Sequence, residues 1–172
     1  TITVLGSNDA PVARDDTGTI LEDGTLTVSD GDGTSTIAGA SFVDSFDVSG
    51  QDTAPLDISF NNDGTKMFVL GNAGKDVNEY TLSTGFDVST ASFVDSFSVN
   101  SQETSPKSIS FNNDGTKMFI LGSEGYDVNE YTLSTGFDVS TASFVDSFDV
   151  SSNASNPQAV TFNNDGTKMF VT

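Results

Sequence analysis

The nine residues from Phe60 to Phe68, Phe-Asn-Asn-Asp-Gly-Thr-Lys-Met-Phe, return letter for letter at Phe111 and at Phe162, a step of 51 residues each time. A fixed period of that length restricts the chain to repeat architectures, in which each unit buries its apolar faces against its neighbours. The identity extends well beyond the motif. Ala40 to Thr90 and Ala91 to Thr141 align without a gap and differ at 11 of 51 positions.

Turn signals divide each unit into four segments of strand character. Leu56 to Phe60 is predicted as a first strand, and Asn61-Asn62-Asp63-Gly64 as a tight turn in which Gly64 takes positive φ. Lys66 to Leu70 returns, Asp76 to Leu82 follows a loop, and Ser92 to Val99 completes the set. Met67-Phe68-Val69-Leu70 is continuously apolar instead of alternating, so both faces of that strand must be covered. The last strand, with Asp44 between Phe42 and Phe46, has the more polar pattern of an outermost strand. Four antiparallel strands in about 50 residues is the size of a β-propeller blade. The expected fold class is therefore all-β: propeller blades of 51 residues, incomplete in this chain, after a short β-rich stretch.

The expected organisation is junction strands over 1–30, a Gly/Ser/Asp linker over 31–39 and blades over 40–172. Within the last, 40–48 reads as a lone fourth strand, 56–99 and 107–150 as full blades, and 158–172 as half a blade. All 14 phenylalanines fall between Phe42 and Phe170, so the core belongs to the repeats. Beginning in strand-like sequence and stopping inside a repeat, the chain reads as a piece of a longer polypeptide. A ring of about four to eight blades would need more repeats than these.

Composition excludes several classes. A net charge of -19, with Arg14, Lys66, Lys75, Lys107, Lys117 and Lys168 as the only cations, argues against nucleic acid and anionic membrane surfaces as partners. Such self-repulsion is tolerated in salt, where the Debye length falls to about 3 Å near 1 M. With no cysteine there is neither disulfide nor thiolate site. With no histidine the commonest general base and zinc ligand is gone. No apolar run approaches the roughly 18 residues of a membrane helix.

Two resemblances follow from particular residues. Ile2-Thr3-Val4, Asn8-Asp9-Ala10-Pro11-Val12-Ala13, Asp15-Asp16-Thr17-Gly18-Thr19 and Glu22-Asp23-Gly24-Thr25-Leu26-Thr27-Val28 resemble junctions between cadherin-like or VCBS-type modules of large bacterial RTX-type surface adhesins. That resemblance implies an extracellular, cell-surface bacterial protein, and calcium held by Asn8 and Asp9, with Asp15, Asp16, Glu22 and Asp23 as further hard oxygen ligands. The Asn-Asp-Gly-Thr-Lys-Met-Phe turn, with a following Asp-Val-Asn-Glu-Tyr strand, resembles the YVTN or lactonase-like group of propellers, although Asn62 stands where that group often has Pro.

Ten of the 11 differences between the units fall on the loop joining blades with the residues beside it, or on the loop between second and third strands; the eleventh is Val69 against Ile120. In a propeller these loops emerge at the same end. Drift in tolerant loops accounts for this pattern; so does a binding face, which also explains why Ser83 to Thr90, equally loop-like, is identical to Ser134 to Thr141. The candidate ligand-binding residues on that face are Gln51, Asp52, Asn72, Lys75, Gln102, Glu103, Glu124 and Tyr126.

Three functions compete on these readings. The first is a non-enzymatic adhesion module that binds a glycan or protein of another surface. The second is a structural subunit of an extracellular fibre, self-associating through open β-edges. The third, an enzyme of the lactonase-like kind, is disfavoured by the missing histidine, and the chain is expected not to be an enzyme.

Overall fold

The computed structural model describes residues 41–163 and 165–172. The junction strands, the linker and the calcium set Asn8, Asp9, Asp15, Asp16, Glu22 and Asp23 lie outside the described residues. Residues 43–172 form one compact unit.

Each full repeat folds into one antiparallel four-stranded sheet in sequence order. The first contains β1 (Pro55–Phe60), β2 (Lys66–Gly71), β3 (Asp76–Leu82) and β4 (Ala91–Ser98). The second contains β5 (Pro106–Phe111), β6 (Lys117–Gly122), β7 (Asp127–Leu133) and β8 (Ala142–Asp149). A third, two-stranded sheet pairs β9 (Val160–Phe162) with β10 (Met169–Val171). The strands β1 and β5 lie side by side, as do β5 and β9, so the sheets fan outward from their first strands. This is the arrangement of β-propeller blades.

The turn motif explains the hairpins. Gly64, Gly115 and Gly166 take φ of 72°, 70° and 69°, a region a Cβ disfavours. At Gly64 that Cβ would also collide with the ring of Phe86. Asp63 Oδ1 accepts from Thr65 N at 3.0 Å and from Thr65 Oγ1 at 2.6 Å, so the repeated aspartate holds the turn by local hydrogen bonds.

The core sits between blades rather than within them. Phe68, Leu70 and Val77 of the first repeat meet Ile109, Met118, Ile120, Tyr131, Leu133 and Val139 of the second. Met67, Phe68, Val69 and Leu70 are all at most 4% exposed, as the continuous apolar run requires. At about 1.5–3 kcal/mol per buried large side chain, this seam is the main cohesive term. Polar bonds repeat across it: Ile109 N donates to Asp57 Oδ2 at 2.9 Å, and at the next seam Val160 N donates to Ser108 Oγ at 3.3 Å.

One strand expectation fails. Residues 41–48 join no sheet among the described residues, because a fourth strand pairs only with the third strand of its own blade. Phe46 and Val48 instead pack on Met67, Val69 and Tyr80, as Phe97 of β4 packs on Tyr131.

Candidate functional site

The loop joining blades and the loop after β2 meet at one end of each sheet. Asn72 N donates to Ala54 O at 3.0 Å and Ser123 N to Ser105 O at 3.1 Å, which ties each loop to its neighbour. The end therefore gathers nearly all of the positions that differ between repeats.

Two of the proposed ligand contacts have another task. Asp52 and Glu103 are 2% and 1% exposed. Gly74 N donates to Asp52 Oδ2 at 2.6 Å and Ala54 N to Asp52 Oδ1 at 2.6 Å; Gly125 N and Ser105 N donate to Glu103. These carboxylates fasten the loops from beneath and do not face a ligand. Gly71 and Gly122 are glycine for the same reason, since a Cβ on either would occupy the carboxylate's place.

The other proposed residues stay at the surface. Gln51, Asn72, Glu124 and Tyr126 are exposed, while Lys75 and Gln102 are half-buried. Lys75 and Tyr126 share a feature absent from sequence reasoning: φ is 52° and 51°, left-handed backbone in a bulky residue. Backbone of that kind costs about 1–3 kcal/mol and gathers at functional sites. It persists here because Val99 N bonds Lys75 O at 2.9 Å and Val150 N bonds Tyr126 O at 2.8 Å.

A second hidden feature lies in the innermost strands. The pairing of β1 with β2 slips between Pro55 and Asp57, and that of β5 with β6 between Pro106 and Ser108. The bulged residue is Leu56 in one blade and Lys107 in the next, a position where the repeats differ. Bulges re-aim side chains and are frequent beside active sites.

Below these loops each blade carries a carboxylate pair with a tyrosine. Burial pushes the carboxyl pKa of Asp76 up, and the charge of Asp52 adds to that, against the bond donated by Asn78. Burial does the same to Asp127, with Glu103 and Asp149 adding to it, against the bond from Asn129. Burial, then Asp127 and Glu103, also push up the Tyr131 hydroxyl. Tyr80 donates to Gln51 Oε1 at 3.3 Å, whereas the Tyr131 hydroxyl is the one buried side-chain polar atom without a partner among the described residues. By sequence the segment Asp76–Tyr80 is plain strand. It is strand, and alternation does place Asp76 and Asn78 on one face, but burial beside a second carboxylate was invisible until the loops were folded over it.

No group of three or more acidic side chains among the described residues converges to hold a metal ion. The chemistry available is that of paired carboxyls, one of which keeps its proton to higher pH than usual, at the end of the sheets that also carries Lys75 and Lys107. The other described lysines, Lys66, Lys117 and Lys168, follow the hairpin turns at the opposite end.

Solved structures confirm the architecture. The chain superposes on a provisionally assigned 6-phosphogluconolactonase of Bacteroides uniformis with a TM-score of 0.53 at 11% identity, covering 68% of this chain and 33% of that one. For the periplasmic gluconolactonase of Pseudomonas aeruginosa the TM-score is 0.50 at 14% identity, with 68% and 32% covered. For a luciferin-regenerating enzyme it is 0.50 at 17% identity, with 70% and 37% covered. The chain spans about a third of the length of these proteins, and at such identities the likeness carries the fold alone. No family model and no curated protein matches the chain.

These matches correct two expectations. The missing histidine disfavours an enzyme, and the sequence-based expectation is a non-enzymatic adhesion module or, as the alternative, a fibre subunit. The fold is shared with proteins described as lactonases and as a luciferin-regenerating enzyme, so the expectation of no enzyme is withdrawn, and with it the adhesion and fibre readings. The physical reason is that histidine is the commonest general base but not the only one, since carboxylates also serve.

Proposed function

We propose that this chain supplies blades to a lactonase-type hydrolase, with a small polar lactone bound at the loop end of the sheets. The observation that carries the proposal is the half-buried Asp76 and Asp127, each beside a second carboxylate and each with a raised pKa, at the end where repeats differ. In its ionised form such a carboxylate takes a proton from water as the water oxygen bonds to the lactone carbonyl carbon. The ring acyl–oxygen bond then breaks and the ring oxygen leaves with that proton as an alcohol. The product is a hydroxy acid, and its new carboxylate suits Lys75 and Lys107, the two described cations of this end.

The test is hydrolysis of glucono-1,5-lactone followed by acid release. The chain should accelerate it over buffer, and the Asp76→Asn, Asp127→Asn double variant should lose about 10²–10⁴-fold, the usual worth of a general base. A rate equal to buffer, or one unaltered in the double variant, defeats the proposal.

The setting we propose is an extracellular one, with calcium at Asn8, Asp9, Asp15, Asp16, Glu22 and Asp23, supported by the resemblance of the first 30 residues to module junctions. Calcium titration should reveal binding near 10⁻⁴–10⁻³ M. Identical binding by an Asp9→Asn, Asp16→Asn variant would refute that assignment.

A further inference from the structure

The fourth strands form the outer edge of each full sheet, and their sequence is the same in every copy: Ser-Phe-Val-Asp-Ser-Phe stands at 41–46, 92–97 and 143–148. In β4 and β8 the apolar members stay in water, Phe93 and Val94 at 43% and 49% exposure and Phe144 and Val145 at 41% and 52%. For Phe144 this exposure belongs to a seam with a full blade on both sides. Its ring packs on Tyr131 at 5.8 Å, and Tyr131 packs on Phe97 of the blade before at 5.5 Å. Phe46, Tyr80 and Phe93 repeat that chain of rings at 5.5 and 5.8 Å. Phe93 and Phe144 are equally open whether residues 43–48 or a whole blade stand in front, so the exposure is set within the repeat. Each marks the outer mouth of a seam.

These edges do not invite a further strand. The pairing of β3 with β4 slips between Glu79 and Tyr80, which leaves Val94 as an unpaired bulge, and Val145 is its counterpart in β8. A bulge of this kind twists an edge away from β-addition. The charges, in contrast, point to a partner. Residues 43–48, β4 and β8 carry Asp44, Asp47, Asp95, Asp146 and Asp149 and no cation. Asp95 lies directly opposite Glu79 and Asp146 opposite Glu130, like charges that weaken the sheet on its own. Lys66 and Lys117 pair with the two glutamates, so neither aspartate is in an ion pair among the described residues.

We propose that the outer edges form a docking site for one class of partner, a basic amphipathic segment of another protein. Its apolar side chains cover Phe93, Val94 and Phe144, and its arginines or lysines meet Asp95 and Asp146. Charge complementarity selects this occupant. A second copy of the chain would bring its own net charge of -19 to the contact, and an anionic lipid surface would be repelled in the same way. An arginine guanidinium pairs with carboxylates and stacks on aromatic faces, and Phe-Val-Asp offers both.

The test uses the whole chain and two short amphipathic peptides, one of leucine and arginine, the other with glutamate for every arginine. Calorimetry at about 0.15 M salt should show binding of the arginine peptide alone. Amide NMR shifts should gather in 92–97 and 143–148. Phe93→Ser with Phe144→Ser leaves the charge unchanged and should weaken binding at least about tenfold, which diffuse attraction to an acidic protein would not do. Asp95→Lys with Asp146→Lys should abolish binding while raising the melting temperature, because each lysine then faces a glutamate across the ladder. A folding defect cannot mimic that combination. No binding, binding of the glutamate peptide, indifference to either pair of substitutions, shifts gathered at the loop end, or edge-to-edge dimers that exclude the peptide would each overturn the proposal.

Discussion

Single residues at the loop end are constrained by what lies beneath them. Gly122 sits over the Glu103 carboxylate, so Gly122→Ala must displace a buried charged group from the backbone donors it satisfies. Overpacking of this kind costs about 1–3 kcal/mol, and urea unfolding should show at least that loss. Gly50, with nothing near its Cβ position, should accept alanine within about 0.5 kcal/mol. Asp127 behaves in the opposite sense. Its folded pKa lies above the ordinary 3.8, so its contribution to stability is full below that value and is lost as pH rises through the folded pKa. Asp127→Asn keeps an oxygen for the Asn129 donor and removes the charge. Thermal melts should therefore show a stabilised variant at pH 7 and no gain at pH 3. The turn aspartates Asp63, Asp114 and Asp165 are held below 3.8 by Thr65, Thr116 and Thr167, and their contribution is lost as pH falls. Carboxyl NMR titration should separate the two sets, one on each side of 3.8.

Among elements, identical sequence does not mean identical energy. β3 and β7 both read Asp-Val-Asn-Glu-Tyr-Thr-Leu. Glu79 in β3 is buried under the next blade, whereas Glu130 in β7 is part-exposed. Glu79→Ala leaves the Val139 N–H without its acceptor and Lys66 with the Phe137 carbonyl alone, a loss of up to about 3 kcal/mol after allowing for the exposure of Lys66. Glu130→Ala should cost at most about 1 kcal/mol. Equal losses in urea titrations of the two variants would show that the seam between blades does not carry the energy assigned to it.

For the whole molecule, stability lies in seams between sheets, so neither blade is expected to hold alone. A protein ending after residue 99 should lose its cooperative melt, because Phe68, Leu70 and Val77 would face water. The blade architecture and the strand limits, to within a residue or two, were legible in the sequence. The reason is that period, turn glycine and apolar run act over a few residues and are copied from repeat to repeat. The end at which Gln51, Asn72, Lys75, Glu124 and Tyr126 gather was legible too, from where the repeats diverge. What each residue does there was not. Asp52 and Glu103 read as contacts and are buried fastenings, while Asp76 and Asp127 read as ordinary strand positions and lie part-buried beside a second carboxylate. Burial and charge proximity depend on residues 20 or more positions apart, such as Asp52 and Gly74, meeting through the fold. Local pattern determined which sheets this chain makes. Only the stacking of one sheet on the next decided which identical side chains are spent on structure and which are left free to act.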